Sequence, residues 1–255
     1  MSRIGRHVYL GAVYAFLYVP IAVLVVYSFN SARYSTNWQG FTLRWYAQLM
    51  TDTQLMDALV NSLVIAFTSS LVATVLGTLG AFAFYRYRFL GRKVLYTFIY
   101  VVMMSPDIVM GISLLMFFVT LGLATGGVTL LLAHITFCLP FVVVTVYSRI
   151  SGFDRSVLDA AKDLGASELQ VFRHVVLPLL MPAVIAGWLL SFTLSLDDVV
   201  VSFFTTGPSF DILPLRIYSM VRLGIKPEIN ALSAVMFALS LVTVSIAHLV
   251  TKERR

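Results

Sequence analysis

Residues 156–178 read SVLDAAKDLGASELQVFRHVVLP, a polar stretch between two long apolar runs. Ser156 followed three places on by Asp159 has the spacing of a capping box, and Val157, Leu158, Ala161 and Leu164 recur at helical intervals. Gly165 enters the left-handed backbone region at no steric cost and stops the helix there. Ser167 with Gln170 sets up a second capping box, Val171, Phe172 and Val175 form an apolar stripe, and Pro178 opens the next element. The spacing predicts a short helix, a glycine turn and a second helix, wedged between two membrane spans. Ala160 and Ala161 leave room for a partner to approach closely, and Lys162, Asp163 and Glu168 offer it a polar rim.

The sequence on either side is that of an integral membrane protein. Of its 255 residues 59% are hydrophobic and only 12% are charged, which lies far outside the range of soluble domains. Mean hydropathy is +0.90. Apolar runs at 8–29, 58–85, 94–121, 128–147, 179–204 and 229–250 are each of the length that crosses a ~30 Å hydrocarbon core. The expected fold is therefore all-α and polytopic, with six transmembrane helices. The first run is longer than the apolar part of a signal peptide, and Asn30-Ser31-Ala32-Arg33 after it is no small-residue cleavage site, so it is read as a span.

Basic residues orient these spans. With the N-terminus cytoplasmic, one side holds Arg3, Arg6, Arg86, Arg88, Arg92, Lys93, Arg149, Arg155, Lys162, Arg173, Lys252, Arg254 and Arg255, and the other keeps Arg33, Arg44, Arg216, Arg222 and Lys226. The excess of lysine and arginine marks the cytoplasmic face, which places both termini and the 156–178 stretch inside. The net charge of +6 is accounted for by these short loops, and nucleic-acid binding is rejected. Cys138 is the only cysteine, so no intrachain disulfide and no cysteine-based metal site exists.

Three carboxylates fall at membrane depth: Asp107 in the third run, and Asp197 with Asp198 in the fifth. No lysine or arginine shares those runs. At roughly 2.5–3.5 kcal/mol each, three such groups facing lipid oppose insertion by about 7–10 kcal/mol, so they face water, a partner or a cation. A chain basic in its loops and acidic in its spans is suited to passing positive charge. Ser105-Pro106-Asp107 also reads as a helix start, with Ser as cap, Pro at the first helical position and Asp against the positive helix end. The two readings are compatible, because a restarted half-helix can put a carboxylate beside a pathway. Asp197 and Asp198, if on one continuous helix, point about 100° apart, so they do different jobs. Asp198 falls near the face of Ser191 and Ser195, and Ser195 is a further candidate for the pathway. His134 is read as an interhelical hydrogen-bond partner.

Small residues repeat every four positions in two spans, Ala73, Gly77 and Ala81 in the second and Ala183, Gly187, Ser191 and Ser195 in the fifth, which predicts backbone-to-backbone packing in the core of the bundle or against another subunit. The 30–57 segment is rich in aromatics, Tyr34, Trp38, Phe41, Trp45 and Tyr46, and Thr42 is placed to cap a short helix. Two readings stand for it: an aromatic belt at headgroup level, or Trp45 at the mouth of the pathway with its ring face turned to a cation.

The pattern Asp159-Ala160-Ala161, Gly165, Val175, Leu177-Pro178 resembles the EAA loop of permease subunits of ATP-binding-cassette importers, with Asp where that family has Glu and Val where it has Ile. The resemblance implies a type I importer permease fold, one permease domain over 1–255, and a cytoplasmic coupling loop at 151–178. In that family the loop docks in a groove of a cytoplasmic ATPase, which here assigns coupling to Asp159, Ala160, Ala161, Gly165 and Glu168. Four stretches, at 101–115, 133–149, 187–209 and 212–232, are similar to permease subunits of bacterial spermidine/putrescine importers. What this implies is an inner-membrane protein carrying polyamines by alternating access past Asp107, Asp197, Asp198, Ser195 and Trp45. The implied partners are a homologous second permease, a homodimeric ATPase, a periplasmic polyamine-binding protein and membrane lipid.

No GxxxxGK[ST], HExxH or GxSxG occurs, so the chain is not itself an enzyme; it carries no cofactor or catalytic metal, and ATP is bound by partners. The alternatives are an importer permease for another small solute, a proton-coupled cation carrier or channel, and a structural scaffold.

Overall fold

A computed structural model describes residues 3–32, 37–222 and 227–252, and these are almost wholly helical. Arg33, Tyr34, Lys226, Arg254 and Arg255, used above, lie outside them. In order the helices are α1 (Arg3–Tyr27), α2 (Arg44–Thr51), α3 (Thr53–Arg86), α4 (Arg92–Met103), α5 (Asp107–Thr120), α6 (Gly127–Ile150), α7 (Arg155–Asp163) and α8 (Glu168–Val171). A π turn at Phe172–Val176 joins α8 to α9 (Leu177–Asp197), followed by α10 (Val200–Thr205), α11 (Leu213–Arg222) and α12 (Pro227–Lys252).

All six predicted runs fall on helix, but two of them are broken. Among the described residues four helices are long and apolar enough to cross a membrane. The third run, read as one span, is α4 and α5 with axes turned by 112°, and counting that pair as one span makes five. Proline causes the break, since Pro106 lacks an amide hydrogen and sits in extended backbone at ψ 133. It occupies the cap position, and neither Ser105 nor Pro106 makes the side-chain cap expected of Ser105. The fifth run ends its long helix at Asp197, and extended Asp198 separates it from α10. At 34 residues α3 is about 51 Å long, so it projects well beyond a ~30 Å core.

The chain falls into two compact units, Met1–Asp57 with Arg216–Arg255, and Ala58–Leu215. In the second unit α6 is the central post: Val142, Val143, Val146 and Ile150 are buried, with Ala81 and Phe84 of α3 and Leu180 of α9 against them. The small-residue ridges explain the fit. A Cβ on Gly77 would lie 2.7 Å from Val142 Cβ, and one on Gly187 would lie 3.5 Å from Val142 Cγ1, so both ridges close on the same valine of α6. At the opposite end Gly207, with φ +77, lies so close to Thr125 that a Cβ there would sit 2.3 Å from its carbonyl oxygen.

The first unit is organised by Asn30. Its side chain donates to the Asn37 carbonyl at 2.7 Å and accepts from the amides of Ala32 and Gln39, tying these three residues to the end of α1. Phe29 stacks on Phe41 at 5.2 Å, and α1 and α2 both rest on α12.

Candidate functional site

The coupling stretch folds as a helical hairpin. Its first cap is Asp154 rather than Ser156: the Asp154 carboxylate accepts the Ser156 amide at 3.0 Å, α7 begins at Arg155, and Asp159 falls a turn inside the helix. That hydrogen bond holds the Asp154 carboxyl below the usual carboxylate range. Gly165 takes the left-handed conformation at φ +80 as its role requires, and no side chain crowds it. The second capping box forms as expected, with the Ser167 amide donating to Gln170 Oε1 at 2.7 Å and the Gln170 amide to Ser167 Oγ at 3.4 Å.

Pro178 opens no separate element. The backbone from Glu168 to Asp197 is one helical run, and the π turn at Phe172–Val176, closed by the Leu177 amide on the Phe172 carbonyl, widens the coil just where the proline removes a donor. The hairpin is thus joined rigidly to α9.

Its two faces differ. Ala161 packs against the core that holds Val171 and Ile150, whereas Ala160 is exposed. Glu168 does not project as a free rim group: it binds Arg86, at the end of α3, and Lys162, each at 2.6 Å. What projects is apolar, with Leu164 89% and Leu169 73% exposed on either side of the glycine turn. Spacing alone missed these two leucines, since Leu164 reads as part of the α7 stripe; the side chain of Asp159 lies outside the described ones.

At membrane depth the three carboxylates part company. Asp107 is the first residue of α5 and is exposed, and Asp197 ends α9 and is exposed; neither makes an ion pair among the described residues. Asp198 is 8% exposed and turned inward, and its two oxygens accept the amides of Val201 at 3.3 Å and Ser202 at 2.7 Å, which holds the start of α10. Its Oδ2 also lies 3.6 Å from His134 Nε2. His134, fully buried on α6, bonds Ser195 Oγ through Nδ1 at 2.6 Å and Ser202 Oγ through Nε2 at 2.9 Å, and Ser195 bonds Ser69 of α3 at 3.0 Å. Ser195 and Asp198, expected beside a pathway, are links in this internal chain across α3, α6, α9 and α10. The expectation that every intramembrane carboxylate needs an outside answer is corrected for Asp198, whose answer is two amides and an imidazole. Ser69 and Ser202 went unrecognised as partners, although Ser202 stands one helical turn after Asp198.

The two breaks lie on helices that touch. A Cβ on Gly111 of α5 would sit 2.7 Å from Phe204 and 3.4 Å from the Val201 Cα of α10, so the restarted halves approach closely. Asp107 and Asp198 each stand about one turn from that contact.

Trp45 in the other unit is 6% exposed, donates its indole N–H to the Asn30 carbonyl at 2.7 Å, and carries the Arg44 guanidinium 4.3 Å from its ring centre. One ring face therefore already holds a cation of this chain. The helix it stands on starts after Leu43, not Thr42, although the Thr42 hydroxyl accepts the Arg44 amide at 3.1 Å.

A family described as binding-protein-dependent transport system inner membrane component matches residues 73–252. The spermidine/putrescine transport system permease protein PotC of Escherichia coli (strain K12) is 56% identical over 254 residues, covering 100% of this chain and 96% of that one. The putrescine transport system permease protein PotI of the same strain is 44% identical over 230 residues, covering 88% and 82%. Among solved structures, a chain of a bacterial ATP-binding-cassette transporter that imports alginate superposes with a TM-score of 0.76 over 98% of this chain and 95% of that one, at 18% identity, a likeness of fold.

Proposed function

Because this chain belongs to the family of binding-protein-dependent transport system inner membrane components, we propose that it is the permease subunit of an ATP-driven importer of polyamines. The observation that carries the cargo is the 56% identity over the whole chain to a spermidine/putrescine permease. Its chemistry agrees: exposed Asp107 and Asp197 stand at the breaks of two spans that carry no lysine or arginine within the membrane, and a polycation supplies the missing charge. Carboxylates spaced along a route hold such a cargo weakly enough to release it.

Motion comes from outside the chain. An ATPase dimer in the cytoplasm grips the α7–α8 hairpin through Ala160, Leu164 and Leu169, with Ala161, Gly165 and Glu168 holding the hairpin's shape. Since α8 runs on into α9 and Glu168 pairs with Arg86, closure of the ATPase displaces α3 and α9 together. That motion reaches the network of Ser69, Ser195, His134 and Asp198, which ties those helices to α6 and α10. A periplasmic binding protein delivers the polyamine, a homologous permease completes the pathway, and both termini lie in the cytoplasm. Trp45, buried and bonded to the Asn30 carbonyl, serves as the anchor of the outer segment.

Competition tests the cargo. In cells dependent on this permease and its partners, uptake of labelled spermidine is expected to fall with excess putrescine or spermidine and to be untouched by sulfate. Inhibition by sulfate and not by putrescine would assign another solute.

A further inference from the structure

Beside the coupling hairpin is a cavity of about 510 Å³ at the ends of α3, α4 and α6, whose Arg88 and Arg92 the transport reading does not use. Arg86, Arg88, Arg92 and Lys162 line it together with one carboxylate, Glu168. Glu168 is committed to Arg86 and Lys162, so Arg88 and Arg92 have no acidic partner among the described residues. Arg92 is aimed by a hydrogen bond from its Nη2 to the Tyr147 hydroxyl at 3.2 Å.

The cavity does not end in protein. Arg88, Arg92 and Tyr147 also line a second recess of about 550 Å³ whose walls are otherwise mainly apolar, among them Phe89, Val94 and Tyr96. Lys93 and Val94 carry that recess into a third, of about 310 Å³, bounded by Phe98 and Val101. From Arg92 to Val101 the groove follows α4 for nine helical rises, about 14 Å, which is close to half of a ~30 Å hydrocarbon core. At its entrance Gly91 turns the chain at φ +86 and leaves Leu90 wholly exposed, a residue placed to dip into the bilayer surface.

We propose that this cavity and groove together bind one anionic phospholipid, its phosphate among Arg88, Arg92 and Lys162 and an acyl chain along α4. The groove's length is that of one leaflet, which a free phosphate or a soluble anion would leave empty. The charge selects the headgroup: guanidinium groups fork onto phosphate oxygens, and the one carboxylate present is already paired, so the cationic head of a zwitterionic lipid meets like charge with no free counter-ion. Bound there, the phosphate bridges the end of α3, the start of α4 and the hairpin, so its presence stiffens the route through which the hairpin moves the spans. Which leaflet supplies the lipid follows from the orientation proposed above; the geometry of head and groove does not depend on it.

The test is lipid retention by the complete transporter, released from nanodiscs of mixed phosphatidylcholine and phosphatidylglycerol and weighed by native mass spectrometry. The natural sequence is expected to keep phosphatidylglycerol in preference to phosphatidylcholine. Loss of a charge-assisted contact in Arg88→Gln, and of two in Arg88→Gln with Arg92→Gln, lowers that retention by about tenfold or more. Arg173→Gln, an exposed charge away from the cavity, keeps it. Since Arg88 is exposed, its single variant assembles even if the double one does not. Equal retention by Arg88→Gln and the natural sequence overturns the proposal, as does equal retention of the two lipids or displacement of phosphatidylglycerol by inorganic phosphate. Transport is not the readout, so failure here leaves the polyamine reading standing, and failure of that reading leaves this one.

Discussion

Asp197 and Asp198 are neighbours in sequence with opposite environments, and the backbone between them decides it. A continuous helix separates adjacent side chains by about 100°, but α9 stops at Asp197, and Asp198 in extended conformation folds back to accept the first amides of α10. Neutralising each therefore has a different cost. Asp198→Ala leaves the buried amides of Val201 and Ser202 short of an acceptor, at about 1–3 kcal/mol for an orphaned group, so assembled complex is lost on thermal challenge. Asp197→Asn leaves assembly intact and lowers spermidine uptake about tenfold or more, because a unit-charge contact near 4 Å is worth roughly 4 kcal/mol at an effective dielectric of 20 before water competes. Thermal stability and initial uptake rate of the two variants check this pair. Uptake unchanged in Asp197→Asn removes that residue from the route.

The helices themselves were legible from the sequence, and their interruptions only in part. Apolar length and capping chemistry are local signals, so the six runs, the Gly165 turn and the Ser167–Gln170 box all fall on the expected residues. Pro106 announces the first break for the same reason. The second carries only a weak local mark: Leu-Asp-Asp-Val contains no proline or glycine, and Asp198 leaves the helix to cap the amides of Val201 and Ser202 three and four residues on, with the His134 imidazole beside it. The π turn at Phe172–Val176, by contrast, lies just before Pro178, whose missing amide it accommodates. At this scale the hairpin carries the prediction. Proline cannot reach the φ of +80 found at Gly165, so Gly165→Pro reshapes the turn between Leu164 and Leu169. ATPase activity is expected to persist while uptake falls to background, measured on the same purified complex. Full uptake by that variant would contradict a docking role for the turn.

For the molecule as a whole, the residues proposed to bind cargo, those proposed to grip the motor and those that hold the helices together are separate sets, joined through α9. The exposed carboxylates sit at helix breaks, the exposed leucines on the hairpin, and the buried serines and histidine between them. Charge counting pointed to a cationic cargo, and spacing to an external motor, while the buried network emerged only from three-dimensional pairing of residues up to 126 positions apart. A proton-driven carrier would use the same buried His and Asp but would have no need of a capped, glycine-hinged hairpin continuous with a span. The most direct test is spermidine uptake into proteoliposomes holding the permease with its sister subunit, ATPase and binding protein. Uptake that requires ATP hydrolysis and survives collapse of the proton gradient is the predicted result; uptake that persists without ATP and vanishes with the gradient would contradict it.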